Sequence, residues 1–229
     1  MIRVVAIDGP AASGKSSTAS RVAQALNFLH LDSGALYRGI TRVALELPPP
    51  EDPIAVLRSA EARGLAFEVY QGRIRLSLDG ADAEPLIRSP EVTAAVSRVS
   101  ALPAVRDWVN ARLRQAAGLG RAVVVDGRDI GTAVFPDAPI KIYLVAEPEI
   151  RARRRLRQQG DQVDPGRLAE ETARIATRDH ADSTRAVAPL TPASDAVVID
   201  TSGLGFEDQV ARIVALVRES PLLGGGLGV

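Results

Sequence analysis

Gly9-Pro10-Ala11-Ala12-Ser13-Gly14-Lys15-Ser16 fits the pattern G-x-x-x-x-G-K-[ST]. Such a loop wraps a polyphosphate with its own backbone N–H groups, so glycines stand where side chains would block the approach. A helix starting directly beyond it offers its positive N-terminal end to the anion. In this pattern Lys15 reaches the β- and γ-phosphates of a nucleotide, and the Ser16 hydroxyl can ligate Mg²⁺. The flanks agree. Val4-Val5-Ala6-Ile7 is a continuous apolar run, as expected of a strand buried on both faces of a parallel sheet. An amphipathic helix is predicted beyond the loop to about Asn27. One of only two lysines in 229 residues, the other being Lys141, falls on the required position.

Further along, the pattern predicts a strand over 28–31, a turn at Asp32-Ser33-Gly34, and a helix over 35–47 that Pro48-Pro49-Pro50 stops. This β-loop-α-β-α order opens an α/β fold. The middle changes character. Alternation over 65–70 and 73–78 around Gln71-Gly72 predicts a hairpin, with a third short strand near 81–84. Two helices, 90–100 and 103–117, follow. The sheet then resumes with an apolar strand over 122–125 that ends in Asp126-Gly127-Arg128-Asp129. Further strands are expected at 140–145 and 196–199. Between them lies an Arg-rich helical stretch, 147–180, interrupted near 160–166. A last helix covers 206–219, and the Gly-rich residues 221–229 read as a flexible tail.

Composition narrows the chemistry. Lys+Arg and Asp+Glu both number 28, for a net charge of zero, which disfavours a nucleic-acid partner. The absence of cysteine removes disulfides, thiolate metal sites and cysteine nucleophiles. Two histidines make a multi-His metal site a poor expectation. No run of 18 apolar residues and no signal segment occurs, so a membrane partner is not expected and a cytoplasmic location is. The cations are almost all arginine, the residue for forked grip on phosphate.

The chain has no guanine-reading N-K-x-D element. Its best acidic strand end, Asp126, is followed by Gly127 rather than Glu. That carboxylate can hold a Mg²⁺-bound water, but no neighbouring Glu stands ready to activate an attacking water. Transfer to a bound acceptor is therefore favoured over hydrolysis. Phosphoryl transfer between two phosphorylated molecules needs cations from several directions and little covalent chemistry from the protein. Arg38, Arg128, Arg178, Arg185 and the run Arg151, Arg153, Arg154, Arg155 and Arg157 are candidates. Arg178, Asp182 and Arg185 are spaced to share one helical face.

Five blocks carry a resemblance. They are Ile7-Asp8-Gly9-Pro10 with the phosphate loop; Leu31-Asp32-Ser33-Gly34-Ala35-Leu36-Tyr37-Arg38; Val125-Asp126-Gly127-Arg128-Asp129-Ile130-Gly131-Thr132; Val134-Phe135-Pro136-Asp137-Ala138-Pro139; and Asp182-Ser183-Thr184-Arg185-Ala186-Val187-Ala188-Pro189-Leu190. With them the chain resembles the bacterial cytidylate kinases, P-loop nucleoside monophosphate kinases. The likeness runs from Ile2 to about Val217. It implies an α/β P-loop kinase fold, with a parallel central sheet flanked by helices, a small antiparallel-sheet and helix insert that binds the monophosphate, and a helical lid. On this reading residues 1–220 form a single domain. Its CORE is 1–62, 105–150 and 178–220, the insert 63–104, and the lid 151–177.

The resemblance also implies roles. ATP·Mg²⁺ would lie on Gly9, Pro10, Ala11, Ala12, Ser13, Gly14, Lys15, Ser16 and Ser17, with Arg151, Arg154 and Arg155 from the lid. Ser16 would hold Mg²⁺ directly and Asp126 through water. CMP or dCMP would meet Ser33, Ser97, Arg106 and Asp129 at the base, Arg38, Arg128 and Arg178 at the phosphate, and Asp182 with Arg178 at the ribose. Tyr37 would pack beside them. Lys15, Arg128, Arg178 and Arg185 would face the transferring phosphate. The products would be ADP and CDP or dCDP. A monomer acting on small nucleotides is expected.

Overall fold

A computed structural model describes residues 3–48, 52–70, 73–118, 121–221 and 223. The chain forms two compact units. The first comprises residues up to 28 together with those from 122 onward, and the second residues 29–121.

The first unit is built on parallel strands. Among them β1 (Val4–Asp8) is buried throughout, as its apolar run requires. The loop follows, then α1 (Lys15–Leu26). In the second unit come β2 (Leu29–Asp32), α2 (Ser33–Ala44), α3 (Pro53–Ala62), β3 (Ala66–Tyr70), β4 (Arg73–Leu78), β5 (Ala81–Asp82), α4 (Glu84–Ile87), α5 (Pro90–Ser100) and α6 (Pro103–Ala117). The chain then returns to the first unit with β6 (Val123–Gly127), a π-helical turn (Ile130–Val134), β7 (Ile140–Val145), α7 (Pro148–Gln159), α8 (Pro165–Thr184), β8 (Val197–Asp200) and α9 (Phe206–Glu219).

In the first unit β1 lies between β6 and β7, and β8 lies beyond β7, all parallel. Val5, Ile7, Val124, Ile142, Leu144 and Ile199 from these strands meet Val22 and Leu26 of α1 and Val210, Ile213 and Val217 of α9 in one core. Leu223 is also buried there, and Arg3 Nη2 donates to its carbonyl at 3.2 Å. The expected flexible tail is therefore anchored at that residue. Residues 222 and 224–229 lie outside the described set.

In the second unit β3, β4 and β5 form the expected antiparallel sheet, with Val69 opposite Ile74. Gln71-Gly72, the expected turn, lies outside the described residues. Gly39 of α2 lets the sheet come close: a Cβ there would sit 2.7 Å from Leu65 and 2.9 Å from Leu76.

Two local readings are corrected. Asp32-Ser33-Gly34 is not a turn before a helix. Asp32 caps α2 by accepting the Ala35 N–H at 3.1 Å, so the helix starts at Ser33. Residues 53–62, to which no element was assigned, form α3, with Asp52 as N-cap and Pro53 in the first turn.

Asp8 closes β1 and is buried. Its carboxylate accepts the N–H groups of Ile130 and Gly131, both at 2.8 Å. Burial nonetheless pushes its pKa up to about 6, against those two hydrogen bonds. The folded pKa lies above the unfolded value of 3.8, so the ionised group disfavours folding at neutral pH. That penalty is relieved as pH falls through 6 and is gone below about 4. The shift corresponds to roughly 3 kcal/mol. Urea unfolding of wild type and Asp8→Asn between pH 7.5 and 4.5 should show wild type gaining about 2 kcal/mol on the variant. A pH-independent difference would refute the assignment.

Candidate active site

The first unit holds the phosphate loop. Gly9 crosses β7 so closely that a Cβ would lie 2.3 Å from the Leu144 carbonyl oxygen, which only glycine permits. Gly14 adopts φ +86° and serves as N-cap of α1 with no side-chain cap. Helix α1 therefore begins at Lys15 with no carboxylate in its first turn, an arrangement suited to an external anion. The helix is pinned from behind. Buried Gln209 donates to Thr18 Oγ1 at 2.5 Å, and Thr18 donates to the Gly14 carbonyl at 2.9 Å. Lys15 is buried, and its Nζ donates to the Pro10 carbonyl at 3.0 Å. Ser13 Oγ is fully buried with no hydrogen-bond partner among the described residues.

Ser16 Oγ donates to Asp126 Oδ2 at 2.5 Å. Asp126 comes from β6, whose register sets it beside Ile7. The two side chains are hard oxygen donors in contact. Mg²⁺ commonly takes one or two protein ligands and completes its shell with phosphates and water. The pair fits that need. Among the described residues no cluster of three or more His, Cys, Asp or Glu offers a self-sufficient metal cage.

Beyond Asp126 the strand delivers Arg128 and Asp129 in succession. They do not pair with each other. Arg128 Nε donates to Asp182 Oδ2 at 2.9 Å, and Arg185 Nη2 donates to Asp129 Oδ1 at 3.1 Å. Arg185 also holds the Ala188 carbonyl at 2.7 Å. Burial raises the pKa of Asp182, but Arg128, Arg178 and Arg185 more than offset it, so its carboxyl stays below the usual range. Arg178 and Asp182 lie one turn apart on α8. Thus Arg128, Asp129, Arg178, Asp182 and Arg185, named from sequence, form one charged group in this unit.

The lid arginines separate. Buried Arg151 donates to the carbonyls of Ala146 (3.0 Å) and Ala11 (2.9 Å) and pairs with Asp179. Arg154 holds Thr201 through its hydroxyl (2.9 Å) and carbonyl (2.6 Å). Arg155 lies 3.7 Å from Glu171.

The second unit gathers its own candidates. Ser33, Tyr37 and Arg38 are buried on α2. Arg38 donates to Thr93 Oγ1 at 3.0 Å. Arg106, 1 % exposed, stands 5.6 Å over the Tyr37 ring and donates to the Ser100 carbonyl at 3.2 Å. Ser97 is half-buried, and its carbonyl accepts the Ser100 hydroxyl. A guanidinium this deep is costly unless paired and positioned. Trp108 belongs to the surface of α6, donating to Glu61 at 2.8 Å beneath Arg112.

Two residues escaped the sequence reading. Asp8 could have been noticed as a carboxylate closing an all-apolar strand. Asp179 gave no signal, because its partners Ala11 and Arg151 are 168 and 28 positions away.

A cytidylate kinase from Rhodococcus jostii (strain RHA1) is 44% identical over 217 residues, covering 94% of this chain and 95% of that protein. One from Desulfitobacterium hafniense (strain Y51) is 44% identical over 223 residues, covering 94% and 92%. Among solved structures, an uncharacterized protein from Eubacterium ventriosum ATCC 27560 matches with a TM-score of 0.52 at 11% identity, covering 94% of this chain and 98% of that one, a likeness of fold alone. The sequence model of the cytidylate kinase family matches residues 5–219, and the chain belongs to that family.

Proposed function

We propose that the protein transfers the γ-phosphoryl group of ATP·Mg²⁺ to CMP or dCMP, giving ADP and CDP or dCDP. The observation that carries this reading is the neighbouring Arg128 and Asp129 at the end of β6, each held by an opposite charge. A phosphate grip and a base-reading carboxylate are supplied by consecutive residues. Asp129 accepts from the 4-amino group of cytosine, whereas uracil presents a 4-oxo acceptor that meets a carboxylate badly. Family membership supports the same chemistry.

In this reading the loop residues Gly9, Pro10, Ala11, Ala12, Ser13, Gly14, Lys15, Ser16 and Ser17 hold the donor. Ser16 would hold Mg²⁺ directly and Asp126 through water. When bound, the metal would supply positive charge against the charge that develops on the transferring phosphoryl group. Lys15, Arg128, Arg178 and Arg185 stabilise the transferring phosphoryl group. Arg38, Arg128 and Arg178 grip the acceptor phosphate. Ser33, Ser97, Arg106 and Asp129 read the base, with Tyr37 packed beside Arg106. Asp182 meets the ribose. The lid is residues 151–177 and the acceptor-binding insert 63–104. Of the lid arginines, Arg155, with its long 3.7 Å ion pair, is the one redeployed onto a phosphate at least cost. An attacking phosphate oxygen is already anionic, so no general base is demanded.

The protein acts as a cytoplasmic monomer in this reading, which size-exclusion chromatography with light scattering checks. Among the described residues no helix is long and apolar enough to cross a membrane.

Purified protein with ATP and Mg²⁺ should release ADP with CMP and dCMP far faster than with UMP or AMP. Higher turnover on UMP or AMP would overturn the proposal. Arg128→Ala should lower kcat about 10²–10³-fold and weaken CMP binding. Asp129→Ala should narrow the CMP/UMP ratio; equal losses on both bases would refute base reading by Asp129. Asp126→Asn should shift the Mg²⁺ dependence of turnover upward by roughly tenfold, as loss of a metal-orienting partner does. An unchanged Mg²⁺ titration would remove Asp126 from the metal site.

A further inference from the structure

We propose that Asp179 and Arg151 are positioning residues that clamp the phosphate loop to α7 and α8 and thereby set its hold on the donor nucleotide. The inference rests on the reading of that loop as the donor site.

Three consecutive polar groups of the loop backbone are taken up by side chains. The Pro10 carbonyl receives Lys15 Nζ at 3.0 Å. The Ala11 N–H donates to Asp179 Oδ1 at 2.8 Å. The Ala11 carbonyl receives Arg151 Nη1 at 2.9 Å. The same guanidinium pairs with Asp179 Oδ2, and its Nε is anchored on the Ala146 carbonyl at 3.0 Å, at the approach to α7. The result is a closed ring of donors and acceptors through Ala11, Asp179 and Arg151. Arg151 is buried, which strengthens each contact electrostatically.

An apolar contact reinforces the ring. Ala11, Ala152 of α7 and Ile175 of α8 form a small buried cluster, with Ala12 and Leu168 packed against it. Ala12 itself adopts φ +58°, a left-handed conformation that an L residue takes only when its surroundings hold it there. The clamp is fastened to the residue immediately before it. Releasing Ala11 would free Ala12 to relax, and the amides that follow it along the loop would lose their common aim. A donor's phosphates feel that change directly.

The test separates donor from acceptor. Calorimetric titration would measure binding of ADP·Mg²⁺ and, separately, of CMP to wild type, Asp179→Ala, Asp179→Asn and Arg151→Lys. Circular dichroism would confirm that each variant is folded. Asp179→Ala loses both the Ala11 N–H acceptor and the charge, and should weaken ADP about tenfold while leaving CMP within twofold. Asp179→Asn keeps an oxygen for Ala11 but not the ion pair, and should fall between. Arg151→Lys keeps charge without the fork and should weaken ADP about fivefold. Should the alanine variant not fold, the near-isosteric asparagine and lysine variants decide the matter. Unchanged ADP affinity in the folded variants, or equal losses of ADP and CMP, overturns the clamp. A wild type that fails to bind ADP at all would instead strike the donor reading itself.

Discussion

A buried guanidinium needs a carboxylate, and in the first unit that need organises the site. Arg128 rests on Asp182, Arg185 on Asp129 and Arg151 on Asp179. Taking such charges out of water costs several kcal/mol per ion, and an unpaired one is not tolerated. Arginine has five N–H donors in a planar fork, so one edge can stay on its carboxylate while another meets a phosphate. Lysine gathers its three donors on one atom, so its partners must converge on a single point. This gives the Arg-for-Lys skew of the chain a physical reason at these positions.

The acidic groups are set by the sheet. Parallel strands present ligand-facing residues at their carboxyl ends. The register of β1 against β6 pairs Ile7 with Asp126 and Asp8 with Gly127, so two carboxylates end neighbouring strands one step out of phase. Their environments divide the work. Asp126 touches the Ser16 hydroxyl. Asp8 accepts two backbone N–H groups from the turn just after Asp129. One meets the first turn of α1, and the other joins the start of the phosphate loop to the segment carrying Arg128 and Asp129. Each carboxylate oxygen takes one of these N–H groups, whereas an amide of the same shape would turn its own NH2 toward one of them.

Much of this was legible in the sequence, for identifiable reasons. The loop is a local motif, and strand β1 is apolar on both faces, so neither depends on distant partners. Helices α5, α6 and α9 begin and end where proline and the hydrophobic period place them. Helix α3 was missed although Asp52-Pro53 is an N-cap followed by a first-turn proline. The prolines at 48–50 are a helix stop, and they stand just before this start signal. The charged group of Arg128, Asp129, Arg178, Asp182 and Arg185 was nameable by resemblance, but its pairing was not. Arg128 is adjacent to Asp129 in sequence, and the structure pairs each with α8 or its C-cap instead. Which carboxylate meets which guanidinium depends on side-chain direction at a strand end, which sequence spacing does not encode.

Helix α8 carries the last step. A residue advances about 100° around a helix, so Arg178 and Asp182, four apart, share a face, and Asp179 is turned onto the neighbouring one. The first face looks to Arg128; the second holds Ala11 of the phosphate loop. In the proposed reading one rigid rod therefore carries groups for the acceptor side and for the donor side. Rotating it to improve one grip would degrade the other, although a side chain on either face can be changed alone. An enzyme that must bring two anions into line gains from that coupling, because the distance between its two grips is then set by helix geometry rather than by independent loops.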